Sequence, residues 1–144
     1  MLCGARQRVP ATQRFISKRA LRAAAWAAAL SGIPSTARAL ATGRDPLEAA
    51  YAAGTILLPG ETSPGRLLAA AVPVHLGLSL AWTVLLDRAQ VRGARRGAVA
   101  GLAIAVLDLG FLGRRFPRIR ALPIAPQLAD HAAFGAIAGR LLQP

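Results

Sequence analysis

The chain has 144 residues, room for one domain, and 18 basic against six acidic side chains give it a net charge of +12. Hydrophobic residues make up 54% but aromatics only 5%, so the apolar mass is mostly Ala and Leu, which suits close helix packing better than a bulky soluble core. A lone cysteine, Cys3, excludes an intrachain disulfide and a zinc site built on cysteine pairs.

The positive charge is not spread evenly. Basic residues gather at the margins of apolar runs, from Arg14 to Arg22, Arg88 to Arg96 and Arg114 to Arg120. Anionic lipid headgroups and the positive-inside rule produce that placement. No aromatic residues interleave with the arginines and no nucleic-acid-binding module is visible, so the expected partner is a lipid bilayer and not nucleic acid.

Residues 1–22 carry six basic residues and no acid. They read as a basic tail orienting the first span. A transit peptide has similar composition, and a secretory signal would use AAAWAAALSGI with small residues near Ala39 or Ala41. Residues 23–144 then form one transmembrane bundle domain.

The first apolar run, residues 23–43, is interrupted at Ser31-Gly32-Ile33-Pro34, because Pro34 has no amide hydrogen and clashes with the preceding turn. A kinked or broken spanning helix is expected, with Arg38 snorkelling near its far end. Asp45-Pro46-Leu47-Glu48 is a helix start: Asp45 suits the cap, Pro46 the first position, and Glu48 a reach back as in a capping box. The helix that follows is too short to cross and stops at Pro59-Gly60; it reads as interfacial, with Tyr51 at headgroup level.

Residues 67–86, LLAAAVPVHLGLSLAWTVLL, hold no formal charge across about 20 residues, enough for a roughly 30 Å hydrocarbon layer. Residues 97–113 give a third crossing at the short limit, with small residues Gly97, Gly101 and Ala105 on one face. Residues 121–139 give a fourth, regular from Pro126 onward, with a second small stripe at Gly135 and Gly139. Four crossings with the N-terminus inside put the tail and the 87–96 loop on the cytoplasmic side. A re-entrant first run would place the tail and the 114–120 loop together instead.

Four residues are costly where they stand: His75, Asp108, Asp130 and His131. A central Asp opposes insertion by about 2.5–3.5 kcal/mol, while a Leu or Ile returns only about 0.3–0.6. Asp108 shares a face with Gly97, Gly101 and Ala105, and His131 with Gly135 and Gly139, so the spacing allows a cluster of all four. Such a cluster either handles a proton or ion, or clamps helices through Asp108 to His131 or His75; Asp130 could simply face headgroups. Two histidines are also the minimum for a haem, but nothing further points to one. No metal site or cofactor is expected. Asp45 and Glu48 are explained by capping, and Ser79 and Thr83 have no arguable base, so no catalytic arrangement follows.

Along residues 31–61, at LAIAVLDLG and at FPRIRALPIAPQLADHAAFGAIAG, the chain resembles uncharacterised small integral membrane proteins of GC-rich bacteria. That resemblance implies a plasma-membrane location and supplies no site or activity. The expected fold is an all-α polytopic membrane bundle of about four transmembrane helices plus a short interfacial helix. The expected function is non-enzymatic: helix–helix interaction as a homo-oligomer or accessory subunit, with a proton- or ion-coupled conduit as the alternative.

Overall fold

Ser17 starts the first helix by accepting the Ala20 amide at 3.0 Å. A computed structural model describes residues 16–144, so Cys3 and the basic residues up to Arg14 lie outside the described residues. Helix α1 runs Lys18–Leu30 and takes in Lys18, Arg19 and Arg22, which the sequence assigns to the tail. Its inward face is alanine at three- and four-residue spacing: Ala20, Ala23, Ala24, Ala27 and Ala28. Leu21, Trp26 and Leu30 point outward.

The first apolar run is broken outright. After α1 the chain turns at Ser31-Gly32, and α2 spans Ile33–Ala41 with Pro34 in its first turn, where a missing N–H costs nothing. Helix α3 covers Glu48–Gly54. The capping-box expectation is corrected here: Asp45 Oδ1 accepts the Leu47 amide at 2.8 Å ahead of the helix, and Glu48 turns away to Arg118. The guanidinium offers Glu48 two charge-assisted bonds where the backbone would offer one amide.

Helix α4, Pro64–Arg88, passes through Pro73 without ending. Helix α5, Ala94–Leu107, continues as a π turn at Asp108–Leu112 and a 3-10 turn at Gly113–Arg115. A single turn, α6 at Pro117–Arg120, leads to α7 at Ile124–Leu141. Regularity was expected only from Pro126; α7 begins two residues earlier, because Pro126 lies in the first turn, where amide hydrogens have no intrahelical partner.

Among the described residues, α4 and the helical stretch Ala94–Arg115 are long and apolar enough to cross a membrane. The other helices do not meet both conditions.

Helices α5, α7, α1 and α4 pack in that spatial order, with α3 on the first half of α4 and α2 on α7. Ser17 Oγ donates to Asp87 at 3.4 Å, and Ala28 meets His75, so α1 and α4 run antiparallel. The Gly93 amide donates to the Gly139 carbonyl at 2.8 Å, and Gly101 faces His131, so α5 and α7 are antiparallel too. Residue 17, the 89–93 loop and Gly139 therefore share one end of the bundle. Residues 114–123 and α3 occupy the other.

The core is small and apolar: Ala20, Ala23, Ala27, Leu86, Ile104, Phe134, Ala138 and Leu142. Gly97 and Gly101 lie directly against Gly135, Gly139 and the His131 carbonyl, and Ala105 is buried beside them. A glycine not singled out from the sequence, Gly54, packs α3 equally closely on the Leu67 carbonyl.

Candidate functional site: a polar cavity at a helix break

Helix α4 wears its polar side inward. Ser79 and Thr83 are buried, while Val72, Leu76 and Leu85 stand more than half exposed. On α5, Val99, Val106 and Leu107 are likewise outside. A water-soluble helix shows the opposite pattern.

His75 and Asp130 serve the break between α1 and α2. Ala28 is among the last carbonyls of α1, which have no intrahelical donor, and His75 Nε2 donates to it at 2.8 Å. On the other side of the break, the Ser35 amide in the first turn of α2 donates to Asp130 Oδ1 at 2.9 Å. Each partner suits the end it meets, a donor at the negative helix terminus and a carboxylate at the positive one. Asp130 thus lies against the first turn of α2.

Asp108 and His131 form the second half of the cluster. Asp108 opens the π turn of α5, a local widening that recurs at functional sites. Its Oδ2 lies 3.3 Å from His131 Nε2 and accepts the Trp82 indole N–H at 3.1 Å. His131 Nδ1 donates to the Gln127 carbonyl at 2.8 Å. That last bond fixes the chemistry. A carbonyl only accepts, so Nδ1 carries a hydrogen, and a neutral His131 would turn a bare lone pair toward Asp108. The contact therefore needs one proton between Nε2 and Oδ2, as imidazolium–carboxylate or as imidazole–carboxylic acid. Either way the pair has no net charge.

All four residues line one open cavity of about 480 Å³ between α2, α3, α4, the end of α5 and α7. The structure joins Asp108 to His131 directly; His75 shares the cavity but bonds the helix break instead of Asp108. Trp82 and Ser35 belong to the site and were not singled out from the sequence. Trp82 could have been, since it lies two turns beyond His75 on the Ser79 side of α4. Ser35 could not, because its contribution is a backbone amide.

His131 has both ring nitrogens engaged and His75 has its Nε2 engaged, so neither presents Nε2 to a haem iron. Among the described residues, no group of three or more His, Cys, Asp or Glu side chains stands close enough to hold a metal ion.

Outside the cavity, Arg118 ties α6 to α3. Its Nε and a terminal nitrogen donate to the two Glu48 oxygens at 2.7 and 2.9 Å, and its guanidinium lies 5.2 Å from the Tyr51 ring centre. The hydrogen bonds from Arg118 hold the Glu48 carboxyl below its ordinary value, against partial burial.

No protein-family model, curated protein or solved structure matches this chain. Function is therefore argued from the site.

Proposed function

We propose that the chain is a plasma-membrane protein of four crossings whose polar, partly open cavity works as a proton- or ion-coupled conduit. The crossings are the broken α1–α2 pair, α4, α5 with its π and 3-10 continuation, and α7. Outward Leu and Val on α4 and α5, with Ser, Thr, His and Asp inward, support lipid as the surrounding solvent. The α1 entrance, the 89–93 loop and the C-terminus lie on the cytoplasmic side in this reading.

The observation that carries the conduit is the proton-requiring contact between His131 and Asp108 inside a cavity. Broken helices whose ends meet ionisable side chains are a recurring way to build such sites at membrane depth. The alternative is a homo-oligomer or accessory subunit acting through helix–helix contacts; the glycine stripes, engaged with each other inside one chain, would leave that role to the outer apolar faces of α4 and α5.

Proton flux into proteoliposomes tests the reading. Asp108→Asn can serve either neutral His131 or Trp82 from the position of Oδ2, not both, and carries no transferable proton, so flux is lost while stability falls by no more than one interhelical hydrogen bond. His131→Ala lowers both. Wild-type flux in both variants would leave the contact as a packing clamp and end the conduit reading.

A further inference from the structure

We infer that the cavity is a binding site for a small organic monovalent cation, an ammonium group on an apolar body, with Asp130 as its counter-ion. This rests on the cavity reading above and goes beyond it by assigning the ligand class.

Charge segregation is the first argument. The chain has 18 Lys and Arg against six Asp and Glu, yet the cavity wall takes two of the acids, Asp108 and Asp130, and no Lys or Arg. A wall drawn at random from such a basic chain would be positive. The second argument is the balance inside. Asp108 and His131 with their shared proton are neutral together, and His75 serves as a donor to Ala28. Asp130 is left with an amide of Ser35 on Oδ1 and no Lys or Arg partner among the described residues. A carboxylate without a cationic partner in a mainly apolar cavity is costly until a cation joins it or it takes up a proton, and a bound ammonium favours the charged form.

The walls decide which cation. They are mainly apolar, from Val74, Leu78 and Ile104, with the rings of Trp82 and Phe134 among them. Such a lining suits hydrocarbon, and aromatic faces attract an ammonium group. A volume of about 480 Å³ lies in the range of small-molecule sites and admits a ring-sized body. Ser79 and Gln127 offer further acceptors to a primary ammonium.

Calorimetric titration of the full chain in detergent at pH 7 provides the test, with three probes of one size: phenethylammonium, 2-phenylethanol and phenylacetate. The expected result is saturable binding of phenethylammonium, at least tenfold weaker 2-phenylethanol binding and no saturable phenylacetate binding. Asp130→Asn, which still accepts the Ser35 amide, weakens phenethylammonium at least tenfold; Glu61→Gln, outside the cavity, leaves it unchanged. Equal affinity for the three probes, no saturable binding of the ammonium, or an unaltered affinity in a folded Asp130→Asn chain would overturn the assignment. The probe comparison on wild-type protein decides the matter even if the variant fails to fold. A chain that binds the amine but passes no protons defeats the conduit and keeps this site; proton flux with no amine binding does the reverse.

Discussion

Gly97 and Gly135 meet backbone to backbone: a methyl group built on either would overlap the carbonyl of the other. No side chain can yield there, so the two helices must separate. Gly97→Ala and Gly135→Ala should each lower stability by about 1–3 kcal/mol, read as a fall in Tm in detergent. Gly77→Ala on α4 meets open space and should be neutral or slightly stabilising. Similar melting for all three would show that the close approach is not what joins α5 to α7.

The helix break makes a second prediction. His75→Ala leaves the Ala28 carbonyl unpaired, which costs about 1–3 kcal/mol, and amide exchange around residues 28–35 should speed up. Exchange there at the wild-type rate would mean that His75 does not hold the break.

Trp82→Phe keeps the ring and removes the donor to Asp108. The expected loss is about 0.5–1.5 kcal/mol, typical of an interhelical hydrogen bond within a membrane. Trp26→Phe, on an exposed outer position, should stay within about 0.5 kcal/mol of wild type. Thermal melts of the two variants side by side check the difference.

The Glu48–Arg118 tie depends on pH with a definite sign. Glu48 is depressed in the folded chain relative to an ordinary value of 4.5, so its contribution is present above that pH and fades as pH falls through the lower folded value. Both side chains are part-exposed, which limits the contribution to about 1 kcal/mol or less. Melting curves between pH 3 and 6 should show this acid-side loss, and Arg118→Ala should flatten it.

Reporter fusions at residues 62, 90, 118 and 144 test the four-crossing arrangement. Positions 90 and 144 should report the cytoplasm, 62 and 118 the opposite side. Residue 118 on the same side as 90 would remove a crossing between them.

What could be read ahead of the structure was local or periodic. Gly97, Gly101, Gly135 and Gly139 stand out by four-residue spacing, and the break in the first run by Gly32 and Pro34, because both signals lie within one or two helical turns. Partners distant along the chain gave no such signal. Glu48 sits beside Asp45 and Pro46 and so looks like a cap, whereas its guanidinium lies 70 residues away. Periodicity could place His75 and Asp130 near Asp108 and His131, but not divide them into two separate tasks. That division follows from a backbone carbonyl and a backbone amide, which every residue carries and no sequence pattern marks.

The gap at Ser31-Gly32 divides custody of the first apolar run. Asp130 holds the start of α2, while α1 is tied to α4 through His75 and Ser17. The wall of the cavity is therefore made of two separately anchored segments instead of one continuous rod.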